Sequence, residues 1–328
     1  MNEIAALTPT SMQQKLNQWV EHYRQYTNEG ACASYIPALK KADLNSLGIY
    51  MLSDDGIQLK SGDTEQSFTL QSISKVLSFI HACSSHGISH VLEYVDVEPT
   101  GDAFNSIFRL ELSHPGRPFN PMINAGAITV ASMLPGQSPD EKVDGLLCLI
   151  EKMVGRKPRI NEEVFLSEWG TANRNRSLAY WLKETGFLLC PVEDAIEVYL
   201  RLCSIELCIA DMAKIGLLLA RDGIQPGTYR HVFSKEIASL TKTLMFTCGM
   251  YDYSGRFAAF VGIPAKSGVS GGIMAAIPSG AAMPSNNRPD SGPWGIGVYG
   301  PSIDKFGNSI AGVKLLKRLA KEWDFRLL

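Results

Sequence analysis

Gln71-Ser72-Ile73-Ser74-Lys75 follows a strand-like segment and opens an apolar run, Val76-Leu77-Ser78-Phe79-Ile80, that reads as a helix. Ser72 and Lys75 are three apart, so on a helix the hydroxyl and the amine share one face. A serine beside an amine that can take its proton is a candidate nucleophile. The same spacing recurs at Ser239…Lys242 and Ser302…Lys305, so spacing alone selects nothing. Position does. Ser72 lies where a strand passes into a helix, and the first N–H groups of a helix are free to face an incoming group. Ser239 and Lys242 read as mid-helix, and Ser302 and Lys305 as a turn with both side chains in water.

On the N-terminal side, residues 11–28 form an amphipathic pattern with Leu16, Trp19 and Tyr23 at helical spacing. Leu47 to Leu52, the turn Asp54-Asp55-Gly56, and Ile57 to Lys60 read as a β-hairpin. From Ser72 to about residue 248 the character is helical. Ser138-Pro139-Asp140-Glu141 is a capping box with proline at the first helical position, and its helix stops at Gly155. Further helices end near Gly186 and Gly223, and another covers 191–207, with Cys203 inside it and Cys208 just after. After Gly249, three glycine-bounded apolar segments read as strands: Phe257–Val261, Gly272–Ile277 and Trp294–Tyr299. A last helix spans about 309–323.

Strands at both ends with helices between them predict an α+β fold in which the two termini build one antiparallel sheet, flanked by terminal helices. The helical middle is then an insertion, and no linker separates it. Residues 1–328 are therefore expected to form a single catalytic domain, with a sheet-containing part at 1–70 and 249–328 and a helical part at 71–248.

The 328 residues carry 45% hydrophobic and 20% charged side chains, an ordinary globular balance. A formal net charge of −2 provides no basic field for nucleic acid or an anionic membrane. No apolar run reaches the length of a membrane span, and no signal peptide is evident in the first thirty residues. Seven cysteines without a CxxC point to buried thiols in a reducing, cytoplasmic setting.

Two signals fail on context. Gly295-Ile296-Gly297-Val298-Tyr299-Gly300 matches GxGxxG, but it lies within an alternating strand and Pro301 follows, so no helix opens to cradle a phosphate. His81, His86 and His90 have no neighbouring carboxylate or thiolate to complete a ligand set. No metal and no cofactor are expected.

A second feature fits Ser72. Lys266-Ser267-Gly268 stands between apolar segments in a glycine-rich stretch. Burial of Lys75 beside a second cation, Lys266, would lower its pKa toward that of a base. The oxyanion of a tetrahedral intermediate needs backbone donors, for which Ser72 N–H and Val269 N–H, on the strand edge, are candidates. An SxxK helix start facing a K-[ST]-G strand resembles the layout of penicillin-binding proteins and serine β-lactamases.

Five stretches extend that resemblance: Gln71-Ser72-x-x-Lys75, Asn120 to Ile128, Leu202 to Glu206, Cys248 to Gly255, and Pro264 to Gly272. Together they resemble the serine-dependent glutaminase family over about residues 10–325. The resemblance implies a β-lactamase-like fold and hydrolysis of L-glutamine to L-glutamate and ammonia without a metal. By it, Ser72 is the nucleophile, Lys75 its neighbouring base, and Tyr251 a hydrogen-bond partner that relays protons. Tyr35, Asn124, Glu168, Asn175 and Tyr199 become substrate-binding positions, and Val269 contributes a backbone amide. It also implies a homo-oligomer, dimer or tetramer. Read by themselves, Asn124 fits a first-turn helix residue, Tyr199 a core aromatic, and Glu168 and Asn175 solvated loop residues. Two other readings stand beside glutaminase: a penicillin-interacting hydrolase, and a non-catalytic amino-acid sensor that keeps the pocket.

Overall fold

A computed structural model describes residues 8–101, 105, 106, 108–112, 115–279 and 292–327. Thr8 caps the first helix, Pro9–Arg24, through a capping box with Ser11, and Met12, Leu16 and Val20 form its buried stripe. Its polar side is free for solvent, while Trp19 packs on Trp323 from the last helix with ring centroids 5.0 Å apart. The hairpin follows as β1 (Gly48–Ser53) and β2 (Gln58–Gly62). Beyond it come β3 (Ser67–Thr69), β4 (Arg159–Ile160), β5 (Ile205–Cys208), β6 (Ala265–Ser267), β7 (Gly272–Ile277) and β8 (Trp294–Tyr299).

The main sheet has the order β2-β1-β8-β7-β6, and every neighbouring pair in it is antiparallel. Both ends of the chain therefore supply it, as the strand–helices–strand order requires. One face meets the terminal helices Pro9–Arg24 and Ile310–Glu322, with Trp294, Ile296 and Val298 in a shared core with Leu315, Leu316 and Trp323. The other face meets the apolar helix Ile209–Ala220. The GxGxxG look-alike is explained there. A Cβ at Gly295 would stand 1.9 Å from the Ala213 carbonyl, and one at Gly297 would stand 2.1 Å from that of Ile209. These glycines admit a helix backbone to the sheet; they do not cradle a phosphate.

Three segments depart from the expected elements. Phe257–Val261 lies mostly in a helix, Ser254–Phe260, because Ser254, Phe257 and Val261 are buried at helical spacing while Phe260 is 51% exposed. The predicted helix 191–207 ends at Cys203, and Ile205–Cys208 becomes β5, flanked by β3 and β4 in a small antiparallel sheet. That sheet lies inside a region read as helical, since a four-residue alternating segment is too short to stand out against the helix before it. Ser302 was placed in water by the turn reading but is 1% exposed.

The thiols are also more varied than expected. Among the described cysteines all seven are free, yet only Cys83 and Cys203 are buried and Cys148 is exposed. His86 Nε2 lies 2.7 Å from the Met133 carbonyl, and His90, against the expectation of no neighbouring carboxylate, pairs with Glu93 on the same helix.

Candidate active site

The nucleophile candidate sits at a strained turn. Gln71 has φ 48°, in the left-handed region that side-chain-bearing residues avoid at roughly 1–2 kcal/mol. A single 3-10 turn, Gln71–Ile73, leads from it into the helix Ser74–His86. Tyr251 has φ 53° and opens a second 3-10 turn, Tyr251–Tyr253. Two of the four non-glycine residues with positive φ among the described residues therefore converge on one place. Strain of this kind persists where the surroundings over-determine it. At Tyr251 they do so through Ser254 Oγ, which donates to the Tyr251 carbonyl at 2.7 Å and accepts from Met250 N at 2.9 Å.

Ser72 is 7% exposed, and Lys75, one helical turn on, is 1% exposed. Lys75 Nζ donates to Asn124 Oδ1 at 2.7 Å and to the Met122 carbonyl at 3.1 Å. Asn124 starts the helix Asn124–Ser132. Asn120 fixes the approach to that helix: its Oδ1 accepts from Met122 N and Ile123 N, while its Nδ2 donates to the Glu98 carbonyl. Asn124 Nδ2 in turn donates to Asn175 Oδ1 at 3.0 Å. Both ends of the Asn124 amide are thus engaged, and it links the lysine to the substrate wall.

Burial sets the proton affinities. It lowers Lys75 to about 8, with the Cys203 and Glu168 charges opposing the shift. It raises Glu168 to about 7, against the Gln71 side chain and the Lys75 charge. It raises Tyr251 far enough to keep the phenol protonated, although hydrogen bonds from the Ser72 side chain and the Val269 backbone oppose that. Those two contacts bring the Tyr251 hydroxyl, the nucleophile candidate and the Val269 amide together. Lys266 is fully buried and donates to the Ser267 carbonyl at 2.7 Å, with its Nζ 4.4 Å from the Tyr251 ring centroid. The expected coupling between Lys266 and Lys75 is present: burial, then the Lys75 charge, hold Lys266 well below the ordinary lysine range, and burial is the main cause that lowers Lys75.

Tyr35, Ser72, Asn124, Glu168, Asn175, Tyr199 and Val269 line one pocket of about 340 Å³. Lys75, Tyr251 and Lys266 stand behind its wall. Glu168 and Asn175 are helical, not loop residues: Glu168 lies on Glu162–Trp169 and Asn175 in the first turn of Asn173–Glu184. Tyr199, on Val192–Cys203, is 5% exposed, and Lys75 Nζ lies 5.9 Å from its ring centroid. Tyr35 is 53% exposed as a residue, yet its hydroxyl is raised well above the usual tyrosine range by burial, with Tyr251 and Glu168 adding to the shift. Val269 falls in the turn between β6 and β7, not on a strand edge. That turn is closed by Gly271 N–H to the Gly268 carbonyl at 2.9 Å.

Gln71, Asn105, Thr171, Ala172, Arg174 and Cys203 also line the pocket and went unassigned in the sequence. Gln71 adjoins Ser72, and Arg174 lies beside Asn175, so adjacency was the available signal. The other two Ser-x-x-Lys copies lie elsewhere: Ser239 and Lys242 on the helix Lys235–Cys248, and Ser302 and Lys305 in the loop between β8 and the last helix.

Among the described residues, no group of three or more His, Cys, Asp or Glu side chains is placed to hold a metal. The pocket thus combines a buried hydroxyl, an amine with depressed proton affinity, a phenol and a backbone amide. These parts serve nucleophilic acyl transfer.

Comparison with known proteins agrees with that chemistry. A family model described as Glutaminase matches residues 30–328. A Bacillus cereus protein named Glutaminase 2 is 60% identical over 312 residues, covering 95% of each chain. A Bacillus subtilis Glutaminase 1 is 56% identical over 313 residues, again covering 95% of each. Among solved structures, a probable glutaminase from Bacillus subtilis complexed with 6-diazo-5-oxo-L-norleucine matches with TM-score 0.88 and 50% identity, covering all of both chains. A covalent complex between a Bacillus subtilis glutaminase and 5-oxo-L-norleucine, formed by reaction with that diazo compound, matches with TM-score 0.87 and 51% identity, covering 96% of this chain and 99% of that one.

Proposed function

The chain belongs to the glutaminase family and is an amidohydrolase acting on L-glutamine; on that premise we propose that Ser72 is the nucleophile of a two-step acyl-enzyme reaction. Ser72 Oγ attacks the side-chain amide carbon, the C–N bond breaks and ammonia leaves. Water then cleaves the γ-glutamyl ester to release L-glutamate and restore the hydroxyl. The observation that carries this reading is the meeting of Ser72, Tyr251 and the Val269 amide beside a lysine brought to about 8.

Lys75 is the general base in this scheme, because a substantial fraction of it is neutral just above pH 7. Tyr251 remains a phenol and donates, passing the proton from Lys75 toward the leaving nitrogen. The Ser72 and Val269 amides hold the oxyanion. Glu168, in its ionised form, receives the α-ammonium, and Asn175, Tyr199 and Tyr35 supply polar contacts to the rest of the substrate. Lys266 supports the Tyr251 ring. The chemistry asks for no metal. The penicillin-interacting and sensor readings are not favoured by the family match.

The proposal extends to one catalytic domain over residues 1–328. The small sheet supports it, since β3 from the sheet-containing part pairs with β5 from the helical part. It also extends to a cytoplasmic location, which the free thiols support, and to a homo-oligomer, which rests on the family resemblance alone. No helix among the described residues is long and apolar enough to cross a membrane.

A coupled glutamate assay on L-glutamine and L-asparagine tests the reaction. Wild type is expected to release glutamate and ammonia from glutamine, and Ser72→Ala to lose at least roughly 10³-fold in kcat. Mass spectrometry after treatment with 6-diazo-5-oxo-L-norleucine should place the adduct on the Ser72 peptide. Full activity in Ser72→Ala would remove the nucleophile assignment.

A further inference from the structure

Gln71 and Tyr251 hold φ of 48° and 53° at the openings of short 3-10 turns. Among the described residues, the other non-glycine positions with positive φ are Asp222 and Asp324. Those two follow the ends of the helices Ile209–Ala220 and Ile310–Glu322. A left-handed residue is a common terminator there, and aspartate tolerates that region better than most. Neither reason applies to a glutamine and a tyrosine that open a turn, so other contacts must hold them.

The two turns share one device. In Gln71-Ser72-Ile73-Ser74, the N–H and the hydroxyl of Ser74 both donate to the Gln71 carbonyl, Oγ at 2.8 Å. In Tyr251-Asp252-Tyr253-Ser254, the N–H and the hydroxyl of Ser254 converge in the same way on the Tyr251 carbonyl, Oγ at 2.7 Å. Ser74 is 2% exposed and Ser254 is 6% exposed, so water hardly competes for either bond. Three residues beyond Asp222 and Asp324 stand Gln225 and Leu327, whose N–H groups bond the Arg230 and Gly262 carbonyls instead. A serine hydroxyl bonded to the carbonyl three or four residues earlier is ordinary within helices, and Ser132 makes such a bond to Thr129 at 2.7 Å. There the backbone is helical without it. At Gln71 and Tyr251 the same bond closes on a backbone that side-chain-bearing residues avoid.

We propose that Ser74 and Ser254 are positioning residues, a matched pair of hydroxyl clasps that hold Gln71 and Tyr251 in left-handed backbone and so set the approach of Ser72 Oγ to the Tyr251 hydroxyl. Their role rests on the reading of Ser72 as nucleophile and Tyr251 as its partner. Ser72 directly follows one strained residue, Tyr251 is the other, and their side chains hydrogen-bond where the two turns meet. Among the described residues lining the pocket, neither Ser74 nor Ser254 appears. The clasps therefore act on the bond-making step and leave substrate binding alone.

The test measures kcat and KM for L-glutamine, with thermal unfolding, in Ser74→Ala, Ser254→Ala, their double variant and Ser132→Ala. Each single alanine at 74 or 254 is expected to lose roughly 10- to 100-fold in kcat, as small misplacements of reacting groups do. KM should stay within about threefold, since binding groups are untouched, and the pH at which kcat rises should not move. Ser74→Thr and Ser254→Thr keep the hydroxyl and should recover most of the loss. Ser132→Ala gives up a back-bond on unstrained helix, so it should lower the unfolding midpoint and keep kcat within about twofold. Both clasps serve one approach, so the double variant should lose less than the product of the single losses. Glycine takes positive φ without strain, so Ser74→Ala should cost at least about threefold less in kcat in a Gln71→Gly background. Should Ser74→Ala not fold, Ser74→Cys keeps a similar volume with only a weak donor and carries the same expectation. Wild-type kcat in either alanine variant overturns the proposal, as does a loss confined to KM or an undiminished loss in the Gln71→Gly background. A fully active Ser72→Ala would instead remove the nucleophile reading on which the clasps depend. An inactive Ser72→Ala beside fully active clasp variants overturns the clasps alone.

Discussion

Ser72 with Lys75 and Ser239 with Lys242 share one spacing and a helical setting but differ in everything around the amine. Lys75 is buried and donates to two neutral oxygens, the Asn124 amide and the Met122 carbonyl. Lys242 meets the Asp222 carboxylate at 2.6 Å. Burial against neutral acceptors penalises the charged form and brings Lys75 to about 8, whereas Lys242 is one member of an ion pair. The first pair is the proposed base beside the proposed nucleophile. The second is an ion pair with a serine nearby. Reactivity here is a property of the neighbours, and the i, i+3 spacing only makes it available.

The sharpest separation of the two is expected from the serines. Ser72→Ala should lose at least roughly 10³-fold in kcat, while Ser239→Ala should retain wild-type kcat within about twofold. A comparable loss in both would erase the distinction. For the lysines, Lys75→Ala should cost roughly 10²- to 10⁴-fold in kcat. Lys242→Ala should leave kcat intact and lower stability by no more than about 1 kcal/mol in urea unfolding, as partly exposed ion pairs do.

Asn124→Asp is designed to make the first site resemble the second. It places a carboxylate where an amide oxygen now accepts from Lys75, holds the ammonium, and should move the pH at which kcat rises upward by roughly one to three units. A profile that stays in place would mean that Lys75 does not govern that limb. In wild type, Lys75 is protonated below its folded pKa and cannot accept the Ser72 proton, so kcat should rise with pH through about 8. Glu168 is neutral below about 7 and then cannot pair with an ammonium, so KM for glutamine should rise as pH falls through that value. Each group lies among the causes of the other's shift, and the two limbs belong partly to the pair. Stopped assays from pH 5.5 to 9.5 would resolve them.

Much of the architecture was legible before any coordinates. The hairpin, the proline-started helix at Ser138 and the strand at 294–299 are all carried by local periodicity and caps, and they stand within a residue or two of their expected bounds. Phe257–Val261 was not legible as a helix, because five apolar residues between glycines satisfy a strand as well as a helix until burial chooses. β5 was lost for a similar reason, directly after a strong helix.

The pocket divides the same way. Ser72 was distinguished by its position at a junction and Val269 by its glycine-rich setting after Lys266, whereas Tyr35, Asn124, Glu168, Asn175, Tyr199 and Tyr251 entered only through family resemblance. Arg174 and Asn105 carried no spacing signal, since 69 residues separate them and only the folded chain joins them.

The sequence by itself determined where most helices and strands begin, because caps, turns and periodicity act within a few residues, and the order of those elements implied that both chain ends share a sheet, although the pairing itself joins β1 to β8 across the chain. It also supplied three equivalent Ser-x-x-Lys pairs. Only the tertiary structure decided which lysine loses its proton near neutrality, which arginine faces the cavity and which glycines admit a helix to the sheet. Those outcomes depend on desolvation and on partners distant in the chain, and neither is encoded in local spacing.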